Sequence, residues 1–257
     1  MGTKASLTNG SGQTWQRVNL LTVPIDIVEP EQLSAIIYDF LKEKKEHNIV
    51  LLSLWDLLRA RRNHEYRYYI TRASLVIPIS KSLISGIKFL TGKKAYRYMP
   101  FDFIISMLSL LENRELSCYL LGGRRKVLLK TEQNLRQTFP KLRLVGRFPG
   151  YFKQYEESTI IKAIKKSSPS LLLAGKGIRG GEKWITRNSL ALGEGLRLWC
   201  SDIFDVFAEK KKRPSRAAFN RGLEWVGYCF RNPFLIIRFF PYMWYKFLLL
   251  YYKLFVQ

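Results

Sequence analysis

Ser117-Cys118-Tyr119-Leu120-Leu121-Gly122-Gly123 is a short apolar run ending on two glycines, and Arg125 to Thr138 follows it with apolar side chains three and four residues apart. A run this short, bounded by glycine, predicts a buried strand, and the longer stretch after it predicts an amphipathic helix. The same order recurs at Leu142 to Val145 with Gly146, shortly before Pro149-Gly150-Tyr151-Phe152, and at Ser170 to Ala174 with Gly175-Lys176-Gly177. Outward from these, strands are expected at Val18 to Ile27, Asn48 to Ser53, Ser74 to Ile79 and Leu196 to Cys200. Helices are expected at Glu31 to Lys45, Trp55 to Arg62, Phe101 to Asn113, Ser158 to Lys166 and Glu182 to Ser189. Alternating strands and helices specify an α/β fold, a sheet covered by helices. In such sheets ligands sit beyond the carboxyl ends of the strands, and glycine lets backbone amides approach a phosphate. Each glycine turn also reads as an ordinary strand-to-helix connection. Three of them in one basic half of the chain favour a nucleotide or another phosphorylated ligand.

The composition narrows the partners. Of 257 residues 47% are hydrophobic and 14% aromatic, which excludes disorder as the main state. Lys and Arg number 43 against 20 Asp and Glu, so a partner should carry negative charge: nucleic acid, anionic lipid or a phosphate-rich small molecule. No helix-turn-helix, zinc finger or RNP-like strand is recognisable, which argues against nucleic acid. Cys118, Cys200 and Cys229 are widely spaced, so neither a zinc site nor a disulfide framework is indicated. Met1 to Gln13 is polar and lacks the apolar core of a signal peptide, and residues 1–16 are read as a disordered leader before a core at 17–208.

Residues 209–257 differ. Lys210 to Gln257 carries ten Lys or Arg and one acid, Glu224, and Phe234 to Val256 is dense in aromatics and leucines but broken by Arg238, Pro241, Lys246 and Lys253. Those charges disfavour a membrane-spanning helix. Rings at headgroup depth with cations that snorkel fit an appendage lying in an anionic membrane surface. A helix pair buried against the sheet or a partner subunit is the other reading.

Taken with the glycine turns, Gly222-Leu223-Glu224-Trp225 makes the chain resemble the WecG/TagA/CpsF family of bacterial glycosyltransferases from about Arg17 to Pro233. Further matching segments are Arg17 to Asp26, Arg97 to Asp102 for the family's Arg-Val-x-Gly-x-Asp, Phe139-Pro140, Glu182-Lys183-Trp184-Ile185, Phe204-Asp205 and Lys212-Arg213. The resemblance implies an α/β fold with a Rossmann-like sheet flanked by helices and a helical, basic and aromatic C-terminal membrane-binding appendage. It also implies transfer of a sugar from a nucleotide diphosphate donor, a UDP-sugar, to a polyprenyl-diphosphate-linked acceptor in cell-surface or exopolysaccharide synthesis. The place implied is the cytoplasmic face of the bacterial inner membrane, peripherally bound. No cofactor is expected, and homo- or hetero-oligomers are left open.

The departures fall where chemistry would occur. The family's Pro-Asp-Gly turn, whose aspartate the resemblance assigns as general base, reads Pro78-Ile79-Ser80; Thr-Ala-Asn becomes Leu51-Leu52-Ser53; Gly-x-Pro-x-Gln-Glu becomes Gly177 to Glu182 without the glutamine; and Val-Gly-Gly becomes Cys200-Ser201-Asp202. An inverting transfer needs a base for the attacking hydroxyl and positive groups for the departing diphosphate. Arg97, Arg213, Arg216 and Arg221 are candidates for the phosphates, with solvated-surface or headgroup roles as the alternative. Gly122, Gly123, Gly150, Tyr151, Gly175, Gly177 and Glu182 are candidates for binding substrate. No Asp-x-Asp pair appears, so no metal is expected. For the base, Asp102 ranks ahead of Asp56, and His64 is a third candidate. Asp102 also reads as a helix cap and His64 as a solvated side chain. Loss of the usual base allows a second function, an inactive homologue serving as scaffold or partner of an active transferase.

Overall fold

The structure, a computed structural model, describes residues 5–8, 14–213, 215–222 and 239–255. Its centre is a six-stranded parallel sheet of β4 (Glu46–Leu52), β5 (Leu75–Pro78), β6 (Ser117–Leu121), β7 (Arg143–Phe148), β8 (Leu171–Ala174) and β9 (Gly195–Trp199), in the order β5-β4-β9-β8-β6-β7. Central strands buried on both faces explain the near-continuous apolar runs of the sequence. Ile49, Ile77, Leu120, Leu173 and Leu198 point to one face, where α1 (Pro30–Lys42), α5 (Pro100–Asn113) and α6 (Arg125–Thr138) pack. Val50, Val76, Leu121 and Leu172 point to the other. That second face is covered by α2 (Leu54–Arg62), α3 (His64–Thr71), α4 (Lys81–Thr91), α7 (Glu157–Ser167), α8 (Lys183–Arg187) and α9 (Ser189–Leu192). Two short helices follow β9, α10 (Ile203–Phe207) and α11 (Arg216–Arg221).

The run expected as one strand from Val18 to Ile27 is a hairpin. Leu21 and Thr22 take positive φ of 50° and 73°, the two-residue turn that matches strand twist, and join β2 (Thr14–Leu20) to antiparallel β3 (Val23–Ile27). β1 (Ala5–Thr8) adds a third strand by pairing with Thr14 to Arg17. Part of the expected leader is therefore sheet. Trp15 is buried, its ring edge-on to Phe40 with centroids 5.9 Å apart. Residues 1–4 and 9–13 lie outside the described residues, as do Leu223-Glu224-Trp225, Cys229 and the start of the basic aromatic run.

The hairpin is fixed to the parallel sheet by a buried ion pair. Arg17 donates from Nε and Nη2 to the two carboxylate oxygens of Asp26, each at 2.7 Å, and reaches the carbonyls of Ala73 and Ser74. Asp26, 1% exposed, also accepts from the backbone N–H of Val76 on edge strand β5 at 2.7 Å.

α3 and α4 were not anticipated from periodicity. Asn63 caps α3 by accepting from the Tyr66 N–H at 2.8 Å, and that polar start hides a buried face of Tyr66, Tyr69 and Ile70. α4 buries Leu83, Ile87 and Leu90. Along it lies α12 (Phe239–Phe255), whose Tyr245, Leu248 and Leu249 are buried while Phe240, Met243, Trp244, Phe247 and Phe255 are exposed. Gly86 on α4 leaves the space that the Tyr245 ring fills, and the Tyr245 hydroxyl donates to the Ser82 carbonyl at 2.9 Å. Among the described residues no helix is long and apolar enough to cross a membrane.

Breaking the Arg17–Asp26 pair from one side leaves a buried carboxylate without its charged partner. Arg17→Met is expected to lower the unfolding free energy by about 3–5 kcal/mol. Arg136→Met, which removes an exposed pair with Glu132 at 2.9 Å, is expected to cost about 0–1 kcal/mol. Urea denaturation of the two variants makes the comparison.

Candidate functional site

Parallel strands align their carboxyl ends on one edge of a sheet, and here the segments leaving β4, β5 and β9 enclose a cavity of ≈1290 Å³. A pocket for one small ligand occupies roughly 300–1,000 Å³, so this volume suits more than one substrate. Basic side chains outnumber acidic ones in its wall: Arg59, Lys81, Arg97, Lys211, Lys212, Arg213 and Arg221 against Asp56, Glu182 and Asp202.

Asp56 stands in the first turn of α2 as half of a capping box. Its carboxylate accepts from the Ser53 N–H at 2.9 Å and the Ser53 hydroxyl at 2.5 Å, and the Ser53 hydroxyl accepts from the Asp56 N–H at 3.3 Å. Its other oxygen, Oδ1, accepts from the Tyr66 hydroxyl at 2.8 Å. Burial, together with the negative charge of Asp56, pushes the Tyr66 phenol upward, so it stays a proton donor. A carboxylate offers about four lone-pair sites, so these three bonds leave room for one more donor. One turn on, Arg59 lies 4.1 Å over the Tyr66 ring and binds Glu182 at 2.5 Å.

The turn after β5 carries no titratable side chain at Ile79 or Ser80. The Ile79 N–H donates to the Leu52 carbonyl at 2.9 Å, and Ser80 Oγ accepts from the Leu54 N–H at 3.1 Å. Arg97 donates from Nε to the Ile79 carbonyl at 2.9 Å and from Nη1 to the Phe219 carbonyl at 2.5 Å, with its guanidinium 3.6 Å over the Phe219 ring. Lys81 donates to the Arg221 carbonyl at 3.0 Å. These two cations thus satisfy the last carbonyls of α11, where the helix dipole favours positive charge. Also in the wall, Lys211 binds Asp202 at 2.5 Å, and Lys176, which does not line the cavity, pairs with Asp205 and with Asp202. Burial works against ionisation of Asp202, but Lys211 and Lys176 outweigh it and hold the carboxyl below its ordinary value. Burial pushes the Cys200 thiol up to about 12, which makes it inert as a nucleophile at neutral pH.

The sequence candidates therefore divide. Asp56, Arg97, Glu182, Arg213 and Arg221 line the cavity. Asp102 does not; it sits in the first turn of α5 and pairs with Arg216 at 3.2 Å, so both are occupied outside the cavity wall. His64 is exposed on α3. Arg59 and Lys81 were missed. Arg59 was legible as the residue one helical turn beyond Asp56, whereas Lys81 becomes visible only through α11, a contact across 140 residues.

The glycine turns pack against one another. Their amides are spent on one another: Gly122 donates to the Phe148 carbonyl, Gly123 to Lys176, Gly150 to Gly123, Tyr151 to Gly177 and Gly175 to Leu121, at 2.6 to 2.9 Å. A Cβ at Gly122, where φ is +127°, would stand 2.8 Å from the Gly175 backbone. One at Gly150 would stand 2.8 Å from the Lys176 carbonyl. Close packing of three loops accounts for these residues, and none of them lines the large cavity. Gly150 and Tyr151 border a separate hollow of ≈720 Å³ beside Arg125 and Arg147. Among the described residues no cluster of His, Cys, Asp or Glu suits a metal ion.

Residues 18–257 match the family model described as "Glycosyl transferase WecG/TagA/CpsF family", and the chain belongs to that family. A relative from Bacillus spizizenii is 21% identical over 81% of this chain and 82% of its own length. One from Staphylococcus aureus is 21% identical over 82% and 83%. Both are named N-acetylglucosaminyldiphosphoundecaprenol N-acetyl-beta-D-mannosaminyltransferase.

If the glycines serve loop packing, Gly122→Ala should destabilise far more than Gly181→Ala. The latter also has positive φ, +61°, but nothing within 4 Å of a new Cβ. Gly181→Ala is expected to cost about 1–2 kcal/mol, the left-handed penalty alone, and Gly122→Ala distinctly more. Thermal and urea unfolding read the difference.

Proposed function

As a member of the WecG/TagA/CpsF family, the chain, we propose, transfers a sugar from a nucleoside diphosphate donor, a UDP-sugar, to a polyprenyl-diphosphate-linked acceptor. The observation that carries this reading is the cavity at the carboxyl ends of β4, β5 and β9, whose cations outnumber its carboxylates. Both substrates carry diphosphate, and the leaving group gains negative charge as the glycosidic bond forms. Guanidinium and ammonium groups preset around that position stabilise it electrostatically, without a metal. The reaction proposed is an inverting displacement, with the acceptor hydroxyl as nucleophile.

The base is Asp56 in this reading. It is the carboxylate in the wall near the vacated aspartate position, it retains a free acceptor site, and the Tyr66 hydroxyl and Ser53 hold its orientation. The order of preference read from the sequence, Asp102 before Asp56, is thereby reversed. Asp56→Asn is expected to lower turnover by about 10²- to 10⁴-fold with nucleotide affinity nearly unchanged, and Asp102→Asn to keep parental turnover. Equal turnover of Asp56→Asn and the parent would remove Asp56 from the mechanism. Ile79 favours the second reading, an inactive scaffold. No turnover by the parent with any UDP-sugar, together with restored turnover in Ile79→Asp/Ser80→Gly, would select it.

The place of action proposed is the cytoplasmic membrane face, through α12. Its exposed rings and its Lys246 and Lys253 suit an anionic surface. Trp244→Ser/Phe247→Ser is expected to release most of the protein from anionic liposomes in flotation assays. High salt should weaken the parent's attachment only partly, since it screens headgroup attraction but not ring burial.

A further inference from the structure

Two carboxylates of the cavity wall, Asp56 and Glu182, share one arginine between them. Asp56 and Arg59 are three residues apart on α2, which makes their side chains neighbours on one face of the helix. Arg59 extends over the Tyr66 ring, its guanidinium 4.1 Å from the centroid, and donates to Glu182 at 2.5 Å. The same ring carries the hydroxyl that donates to Asp56 at 2.8 Å. The phenols of Tyr66 and Tyr69 are both pushed up, by burial first and then by the charges of Asp56 and Glu182, so the two carboxylates act on one neighbourhood. Glu182 immediately precedes α8, and Glu65, next to Tyr66 on α3, pairs with Lys183 at 2.5 Å and with Arg187 at 2.6 Å. These ion pairs tie α8 to the corner between α2 and α3 and hold Glu182 beside Arg59.

A second carboxylate close to a general base opposes the base's ionisation, and a cation between the two reverses that effect. We infer that Arg59 is a positioning residue for the proposed transfer: it keeps the Tyr66 phenol against Asp56 and cancels Glu182, the neighbouring carboxylate that would compete with Asp56 for the acceptor's proton. The inference rests on the reading of Asp56 as base and adds what acts on that base. Arg59 has a rival role, since it lines the same chamber as Lys81, Arg97, Lys211, Lys212, Arg213, Arg221 and Asp202 and could serve a phosphate directly. The two roles separate by sign. A phosphate ligand gains from losing its carboxylate partner and has no effect on the base, whereas in the positioning role Arg59 and Glu182 push Asp56 in opposite directions.

Carbon-13 NMR titration of the full chain, labelled at its aspartate side-chain carboxyls, provides the test, with the Asp56 signal identified by its loss in Asp56→Asn. Arg59→Met is expected to move the Asp56 midpoint up by at least about half a pH unit, the effect of a unit charge about 6 Å away even at the dielectric constant of water. Glu182→Gln, which keeps the shape and removes the charge, should move it down. Arg59→Lys, which keeps the charge, should leave it close to the parent's. In turnover assays with a panel of UDP-sugars and undecaprenyl-diphosphate-linked N-acetylglucosamine, the acid limb of kcat should follow the midpoint in each variant. Midpoints that stay at the parent's value in Arg59→Met and Glu182→Gln, or move in one direction in both, overturn the role of Arg59 and leave Asp56 standing as base. A raised KM for the UDP-sugar in Arg59→Met with the acid limb unmoved also overturns it, and makes Arg59 a phosphate ligand. Parental turnover in Asp56→Asn overturns the base reading and the positioning role with it.

Discussion

The carboxylate of Asp26 is the joint between two sheets. It has left water entirely, so its charge is tolerable only because Arg17 meets it bidentately and the Val76 amide occupies a further lone pair. The Val76 amide belongs to the edge strand of the parallel sheet, where an unpaired N–H would otherwise need water or another strand. One side chain thus closes the sheet edge and fixes the hairpin in place. With β5 held, the turn at Pro78-Ile79-Ser80 has a fixed position, and the Ile79 carbonyl becomes an anchor for Arg97. From there the chain of contacts runs to Phe219 and α11.

The excess of basic residues has a local meaning that the net charge alone does not convey. Many cations are already engaged: Arg59 with Glu182, Lys211 with Asp202, and Arg97 and Lys81 with helix carbonyls. A guanidinium resting on a carbonyl dipole keeps its full charge, whereas one paired with a carboxylate is neutralised. The cavity therefore retains positive potential on the α11 side even though its donors are occupied, and the carboxylates Asp56 and Glu182 lie with α2 and the segment before α8.

The layered α/β architecture was legible because its signal is periodicity. Strands β6 and β8 and helix α6 come close to their expected bounds, since each couples a strictly apolar strand or a regular amphipathic helix to glycine punctuation. The hairpin was not legible as two strands, because Leu21 and Thr22 adopt left-handed φ without glycine or asparagine to announce it. Site residues fared according to range. Asp56 stands just past its own strand, and Arg97 lies between α4 and α5; both line the cavity, as the strand-end logic and the retained segment from Arg97 to Asp102 led one to expect of residues near the sheet's carboxyl edge. Gly122 stayed open between two readings, because a glycine that admits a phosphate and one that admits a neighbouring loop look the same until the loop's carbonyls are placed. Asp102 was ranked by its place in a motif, and its ion pair with Arg216 depends on a segment 114 residues away.

The attachment of α11 creates a thermodynamic linkage. Its carbonyls at Phe219 and Arg221 are held by Arg97 and Lys81, two cations that also face the chamber. An anion that draws either cation toward itself competes with the helix for it, so binding and attachment share one pool of charge. By reciprocity, whatever strengthens the hold on α11 raises the dissociation constant of such an anion by the same factor, and whatever loosens the helix lowers it. Helix α11 is thus a place where events outside the chamber enter the binding equilibrium inside it.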